Sequence, residues 1–218
     1  TLREMGWDIP EVDPADDCPD AVFIEDAIVV FDDLAVVARP GALARRSEIA
    51  GAEEAARRLG LDIHRIEAPG TLDGGDVLKV DRTAYVGVGG RTTLHAVNQL
   101  EAILSSRGWI VRPVSVRQVL HLTSAVTGLP DGTIIGYSDY VDEVAGYGRF
   151  MAMPEPEGAH VVLLGDDTLL MSSSAPASAA RLATMGYRPV HVDISEFEKL
   201  EGGVTCLSVR IRHPAIAA

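Results

Sequence analysis

The sequence has few cysteines, few basic residues and no long apolar run. Its 218 residues include two cysteines, Cys18 and Cys206, too few for a disulfide framework, and no secretory leader is visible. The expected compartment is therefore a reducing cytoplasm. No apolar stretch approaches the roughly 20 residues that span a bilayer, so we expect no transmembrane helix.

Positive charge is scarce, with 19 lysines and arginines against 32 aspartates and glutamates. The net charge of −13 repels phosphate backbones and anionic lipid surfaces, and it attracts small cations. The chain also lacks zinc-ligand spacings, a phosphate-binding glycine loop and a G-x-S-x-G nucleophile turn. We therefore expect neither nucleic acid nor membrane as a partner, and a small cationic substrate instead.

An internal repeat is present. A helix end, a glycine and a β-rich run recur as "LREMGWDIPEV", "ARRLGLDIHRI", "LSSRGWIVRPV" and "LATMGYRPVHV". Their glycines, Gly6, Gly60, Gly108 and Gly186, stand where a helix needs a left-handed C-terminal residue. Two strand-like runs precede each complete helix, so the unit is strand, strand, helix, strand. Units too small to bury their own apolar faces typically stack into solenoids or rings.

The repeat predicts an α/β fold in a single domain over residues 1–218, with five units arranged as a ring. One unit, around 139–150, has a degraded helix in which glycines and aromatic residues replace the helical pattern. A final strand at 204–211 is expected to close the ring against the first repeat. Because the first phrase begins inside its helix at Thr1, we expect that its preceding strands are absent from this sequence.

Carboxylates near strand starts are the first candidates for a site. "CPDAVFIEDAIVVF" places Asp20, Glu25 and Asp26 in or beside an apolar strand, where an unpaired buried charge is costly. "TLDGGDVLKV" sets Asp73 and Asp76 around two glycines that permit close backbone approach. A salt-bridged turn residue is the alternative for Asp26, and a plain β-turn would use the letters of the second motif.

A thiol and a histidine are the next candidates. Cys206 precedes the alternating run "LSVRIR", which in a strand would put Cys206, Ser208 and Arg210 on one polar face. A thiol on a polar face favours a reactive cysteine, because structural cysteines prefer burial. The alternatives are a small core residue and a disulfide to Cys18. His121, in "VLHLTSAV", is a catalytic candidate only as a partner of that cysteine, since a lone histidine there is more often structural.

Arginines stand before two predicted helices. Arg91 precedes one of them, and Arg45 or Arg46 precedes the other. Arginines in such places are usually solvated, yet their planar guanidinium suits bidentate binding of a carboxylate.

Several of these segments together resemble the dimethylarginine dimethylaminohydrolase family of the guanidino-group modifying, or pentein, superfamily. The similar segments are "PDAVFIEDAIVV", "ARPGALARRSE", "TLDGGDVL", "GRTT", "LHLTS" and "EKLEGGVTCLSV", in the family's order, over residues 18–212. The resemblance implies a five-bladed, pseudo-fivefold ring of ββαβ units, in line with the repeat count. One departure is that the family's N-terminal lid segment has no counterpart here.

The resemblance also implies an activity, the hydrolysis of N-methylated arginine to citrulline and a methylamine, with no metal or organic cofactor. It implies a nucleophile at Cys206, a histidine acid and base at His121 and an acidic partner at Asp73. Substrate contacts are implied at six further positions, Asp20, Glu25, Asp26, Arg45, Arg91 and the backbone near Leu200.

This implied set is chemically coherent. The carbon of a guanidinium resists attack until carboxylates fix its plane, a task for Asp26 and Asp73, and a soft nucleophile stands above it. The bound cation should also lower the pKa of the Cys206 thiol. Three rival readings are an arginine deiminase, an amidinotransferase and a catalytically silent binding protein of the same fold. A homodimer is one candidate assembly.

Overall fold

The same arrangement of three strands recurs in each sheet. The computed structural model describes residues 1–165 and 167–211. In those residues, twelve strands form four three-stranded sheets. In each sheet the first strand pairs antiparallel with the second, and the second pairs parallel with the third. The three strands of the predicted strand, strand, helix, strand unit therefore recur in all four sheets.

The four units follow one another along the chain. The first contains β1 (Ile28–Phe31), β2 (Leu34–Val37), α1 (Ile49–Arg58) and β3 (Asp62–Arg65). The second contains β4 (Val77–Val80), β5 (Thr83–Val88), α2 (Leu94–Leu104) and β6 (Ile110–Ser115). The third contains β7 (Val126–Gly128), β8 (Ile134–Gly136) and β9 (Phe150–Ala152). The fourth contains β10 (Val161–Leu163), β11 (Thr168–Ser172), α3 (Pro176–Thr184) and β12 (Arg188–Val192), and α4 (Ser195–Glu198) follows it.

The third unit has lost its helix, as the sequence predicts. Two 3-10 helices, Ser138–Tyr140 and Val144–Tyr147, take the place of an α-helix between β8 and β9. The local run contains two glycines and two tyrosines, which are poor helix formers. The four glycines of the repeated phrase all adopt positive φ, which confirms that prediction: Gly6, Gly60, Gly108 and Gly186.

Apolar clusters hold consecutive units together. One cluster joins Phe31 and Val36 of the first unit to Val86 and Leu100 of the second. Similar clusters join the second unit to the third and the third to the fourth. Consecutive units thus bury apolar faces against each other, which is the physical reason that such units stack.

The C-terminal segment differs from the prediction. All of 204–211 is described, and it contains turns and irregular chain with no strand. Its backbone turns back on itself, since the Cys206 amide donates to the carbonyl of Gly203 at 3.2 Å. The apolar side chains of the segment still bridge the outer faces of the first and fourth units: Leu207, Val209 and Ile211. Arg212, the last residue of the region that carries the resemblance, lies outside the described residues.

Two other expected strands are corrected. The phrase at the start of the chain forms a 3-10 helix, Arg3–Met5, and Gly6 is followed by irregular chain. The apolar strand predicted in "CPDAVFIEDAIVVF" begins only at Ile28, because Ile24–Ala27 forms a 3-10 helix before it. Glu25 and Asp26 therefore lie on a turn at the start of the strand. Among the described residues, none of the helices combines the length and apolarity needed to cross a bilayer.

Candidate active site

Seven of the nine predicted site residues line one cavity. Its volume is about 290 Å³. The seven residues are Asp20, Asp26, Arg45, Arg91, His121, Leu200 and Cys206. Phe23, Leu120, Ser124, Lys199, Glu201 and Gly202 complete the lining. Glu25 and Asp73 are buried behind it and do not belong to the lining.

The short turns before the first strands supply much of this site. A 3-10 helix precedes the first strand of every unit, at Ile24–Ala27, Gly74–Asp76, Leu122–Ser124 and Pro156–Ala159. Asp26 and Asp76 lie within two of these helices, and Asp73 and His121 immediately precede two. Equivalent positions of successive units thus lie close together, as the contacts of His121 with Asp73 and Asp26 show.

The two glycines after Asp73 allow this meeting, as the sequence predicts. A Cβ atom on Gly74 would lie 2.0 Å from the carbonyl oxygen of Glu25. A Cβ atom on Gly75 would lie 2.6 Å from Oδ1 of Asp26 and 3.0 Å from the ring of His121. Only glycine lets these turns pack so closely.

His121 lies between two carboxylates. Its Nε2 is 3.0 Å from Oδ2 of Asp73, and its Nδ1 is 3.5 Å from Oδ1 of Asp26. The residue is only 4% exposed. Burial alone would lower the pKa of His121, but the hydrogen bond to Asp73 and the charges of Asp26 and Asp76 outweigh it and raise the pKa to about 9. At neutral pH the ring is therefore an imidazolium, able to act as an acid.

Asp73 and Asp76 hold the histidine and its loop. Burial would raise the pKa of Asp73, but the hydrogen bonds from His121 and from the Gly41 amide outweigh it and lower the pKa. Asp76 accepts hydrogen bonds from Oγ1 of Thr92 at 2.6 Å and from the amide of Leu122 at 3.0 Å. Burial raises the pKa of Asp76 to about 6. The Leu122 bond fixes the backbone directly after His121.

Arg45 is committed to protein partners. Its Nη1 donates to Oδ2 of Asp26 at 2.6 Å, and its Nη2 and Nε donate to the Glu48 carboxylate. Nη2 also faces the carbonyl oxygens of Asp20 and Phe23. The resemblance implies a substrate contact for Arg45, whereas in this structure each of its three nitrogens is occupied by a protein partner. Arg45 instead fixes the carboxylate of Asp26. Asp26 is therefore a salt-bridged turn residue, which is the alternative interpretation of its position in the sequence.

Arg91 differs from Arg45 because it keeps free hydrogen-bonding capacity. Its Nη1 is buried and, among the described residues, has no hydrogen-bond partner. The nearest carboxylate oxygen, Oδ2 of Asp73, is 3.9 Å away. A buried guanidinium nitrogen without a partner is costly unless a ligand completes it. Arg91 can therefore accept an anionic group from the cavity.

Cys206 is buried, contrary to the polar-face prediction, and both cysteines are free thiols. The reason is the turn at 203–206, which replaces the expected strand and puts the thiol at the cavity wall. Burial, followed by the charge of Glu25, raises the pKa of Cys206 to about 12. The thiol is therefore protonated when the cavity is empty.

Glu25 is hydrogen-bonded to Cys206 through the backbone, and its carboxylate acts on the thiol by charge alone. Its amide donates to the carbonyl of Cys206 at 3.1 Å, while its carboxylate accepts from Arg210 at 2.8 Å and from Thr123 at 3.4 Å. Those contacts turn the carboxylate away from the cavity, which revises the predicted substrate contact.

Sequence reasoning assigned no role to Glu48, His160 or Arg210. The ring of His160 donates from Nε2 to the carbonyl of Ser124 at 2.6 Å and packs on Gly203, where a Cβ atom would lie 2.1 Å from Nδ1. The available signal for His160 is its position in the fourth repeat, directly after the turn that precedes the first strand. In the described part of the chain, no group of three or more His, Cys, Asp or Glu residues could hold a metal ion.

Comparisons of the whole chain give several related proteins. No family model matches it. An N(G),N(G)-dimethylarginine dimethylaminohydrolase from Streptomyces coelicolor is 58% identical over 211 residues, covering 97% of this chain and 82% of that protein. The Pseudomonas aeruginosa protein of the same name is 32% identical over 213 residues, covering 96% and 84%.

Solved structures show the same fold. A dimethylarginine dimethylaminohydrolase adduct with S-methyl-L-thiocitrulline has a TM-score of 0.89 at 31% identity, covering 96% of this chain and 84% of that one. The N-terminal domain of ArgZ, a cyanobacterial arginine dihydrolase, has a TM-score of 0.84 at 20% identity, covering 99% and 85%. The latter similarity concerns the fold alone. With more than half of its residues shared with the Streptomyces protein over almost its full length, this chain belongs to the dimethylarginine dimethylaminohydrolase family.

Proposed function

We propose that this protein hydrolyses N-methylated arginines to citrulline and methylamine or dimethylamine. The observation that carries the proposal is the convergence of a thiol, an imidazolium and a fixed carboxylate on one cavity, at Cys206, His121 and Asp26. The cavity has room for a free amino acid, and its carboxylates suit a cationic one.

The first half of the reaction transfers the amidino carbon to sulfur. The guanidinium binds against Asp26, whose carboxylate is held by Arg45, and its positive charge lowers the pKa of the Cys206 thiol. The thiol loses its proton to water, and the thiolate attacks the guanidinium carbon. His121 then donates its proton to the departing methylamine, so that the C–N bond breaks and a covalent thiouronium remains on Cys206.

The second half restores the enzyme. His121, now neutral, takes a proton from a water molecule that attacks the thiouronium carbon. The C–S bond of the resulting tetrahedral adduct breaks, which releases citrulline and regenerates the Cys206 thiolate. Asp73 stabilises the imidazolium each time it forms, through its 3.0 Å contact with Nε2.

The α-groups of the amino acid bind at the other end of the cavity. Arg91 takes the α-carboxylate, a role supported by its unpartnered Nη1. Asp20 and the backbone near Leu200, both in the lining, take the α-amino group. Arg45 and Glu25 act behind the site, through Asp26 and through the Cys206 turn.

A ring of five units, in one domain over residues 1–218, is the architecture that we propose. A groove of about 1450 Å³ lies between the first and fourth units, lined in part by Ile28, Val162 and Ile211. Strands of a fifth unit would cover its apolar walls. In a chain that also carries those strands, hydrogen exchange should be slow at the amides of β1 and β10 that face the groove, and fast exchange there would contradict a fifth unit.

The partners and compartment follow from charge and thiol content. We expect no cofactor, nucleic acid or membrane, a reducing cytoplasm and a homodimer. Two free cysteines support a reducing compartment. The net charge of −13 supports the absence of nucleic-acid and membrane partners. Light scattering coupled to size-exclusion chromatography tests the dimer, which a monomer mass would contradict.

Product analysis tests the proposed function. The protein should convert asymmetric dimethylarginine to citrulline and dimethylamine faster than it converts arginine to citrulline and ammonia. Equal rates for the two substrates would favour the deiminase reading. If neither substrate yields citrulline, the reading as a catalytically silent binding protein is favoured.

A further inference from the structure

Arg210 makes contacts for which the reaction outlined above has no use. It follows Cys206 by four residues and is not part of the cavity lining. Its Nη1 donates to the carbonyl of Thr205 at 2.6 Å and also contacts Ser208, while its Nη2 donates to Oε1 of Glu25 at 2.8 Å. One guanidinium thus ties the residue before the nucleophile to a carboxylate on another segment.

Glu25 is the other half of this arrangement. Its side chain is 10% exposed, and its second carboxylate oxygen faces Oγ1 of Thr123, two residues after His121. Its amide holds the carbonyl of Cys206 at 3.1 Å. The carboxylate therefore stands behind both the thiol and the histidine loop, and Arg210 is the cation that pairs with it.

A carboxylate in this place opposes the chemistry of the site. A negative charge beside a thiol makes the thiolate less stable, and the effect is large where burial excludes water. Removing the cation from a buried pair leaves a charge without compensation. Arg210 supplies that compensation at Glu25 while it also holds the carbonyl of Thr205, the residue directly before Cys206.

We propose that Arg210 is a positioning residue for the proposed hydrolysis, which clamps the Cys206 turn and neutralises Glu25 so that the thiolate can form. The inference rests on the proposed function. Other titratable groups line the cavity with Cys206 or pack against its turn: Asp20, Asp26, Arg45, Arg91, His121, Lys199 and Glu201 in the lining, and His160 against Gly203. They are common to all the variants below, so differences between variants report the Arg210–Glu25 pair.

The test measures alkylation of Cys206 by iodoacetamide, which needs no turnover. A thiol pKa raised by about one unit lowers the thiolate fraction about tenfold, and the greater nucleophilicity of the more basic thiolate returns about threefold. Arg210→Gln should therefore react about threefold more slowly than the wild type below the thiol pKa, with a pH–rate profile displaced upwards. Glu25→Gln should react about threefold faster, and the double variant should lie near the wild type.

A purely structural role predicts another pattern, in which both single variants react more slowly and the double variant is slowest. That pattern, or an Arg210→Gln rate equal to the wild type, would overturn the proposal. Arg210→Lys keeps the charge and should stay within about twofold of the wild type, and a fall as large as in Arg210→Gln would also count against it.

Two controls complete the experiment. Arg149→Gln removes an arginine that pairs with Asp131 at 3.7 Å outside the cavity, and it should alkylate like the wild type. Cys18 is the second free thiol, so every rate is measured in a Cys18→Ser background, with mass spectrometry confirming the labelled residue. If the alkylation pattern holds but methylarginine is not hydrolysed, the proposed function fails while the charge pair stands.

Discussion

Raising the pH from 6.5 to 9 should lower the free energy of unfolding, because His121 holds a proton in the fold that it loses on unfolding. Burial would lower its pKa, but Asp73 and the neighbouring carboxylates raise it from an ordinary value of 6.5 to about 9. A group with a raised folded pKa stabilises the fold fully below its unfolded pKa. That contribution is lost as the pH rises through the folded pKa.

The magnitude follows from the size of the window. Between the two pKa values the folded state binds about one proton more than the unfolded state, so stability falls by about 1.4 kcal/mol per pH unit. The whole loss is on the order of 3 kcal/mol. Two other large pKa shifts change stability mainly outside the window between pH 6.5 and 9. Burial raises the pKa of Asp76 from an ordinary 3.8 to about 6 and that of Cys206 from 9 to about 12.

Urea unfolding, followed by the fluorescence of Trp7 and Trp109, measures this loss at several pH values between 6.5 and 9. His121→Gln is the matched control, because its amide can donate to Asp73 and does not titrate. Its free energy of unfolding should be nearly constant over the window. A wild type that is equally stable at both ends, or a variant that loses as much, would refute the assigned charge of His121.

Three substitutions test the proposed chemistry, and a fourth tests the packing of the Cys206 turn. Cys206→Ala should abolish citrulline release with an unchanged circular dichroism spectrum, and retained turnover would exclude the covalent route. His121→Gly should accumulate a covalent adduct with a substrate that carries a good leaving group, visible by mass spectrometry, whereas normal turnover would move the acid role elsewhere. Arg91→Ala should raise KM about 10- to 100-fold with less effect on kcat, and an unchanged KM would remove its carboxylate role. Gly203→Ala should lower Tm by a clash with His160 that His160→Ala relieves, and equal Tm values in both backgrounds would contradict that packing.

Local sequence signals predicted much of the fold. Glycines at helix ends and paired strand runs gave the ββαβ unit, because those features depend on backbone conformation within a few residues. The prediction of a strand at 204–211 was wrong because strand formation depends on a pairing partner that is distant in the sequence. A strand needs a partner edge, and the apolar alternation of that run serves packing against two units without backbone pairing.

The residues of the candidate site likewise fall into those that a local motif predicts and those that only the fold brings together. Cys206, His121 and Asp26 could be found from motifs and from the family resemblance, since each belongs to a distinctive local phrase. Glu48 and Arg210 could not, because they act through ion pairs with residues that only the fold brings near. Arg210 and Glu25, for example, are 185 positions apart in the chain. Charge pairing of this kind leaves no periodic pattern in a sequence.

The protonation states of the empty site make the thiol depend on its substrate. With a pKa of about 12, Cys206 is ionised in only about one molecule in 100,000 at pH 7. Oxidants and alkylating agents react with thiolates, so the empty site protects its nucleophile. The nearby carboxylates of Asp26 and Glu25 are each held by an arginine, which limits but does not reverse their effect on the thiol. A guanidinium in the cavity adds the missing positive charge beside the sulfur, and it is also the group to be attacked. Selection for a cation therefore precedes any contact with the N-methyl groups, and a neutral ligand of the same shape would leave Cys206 protonated.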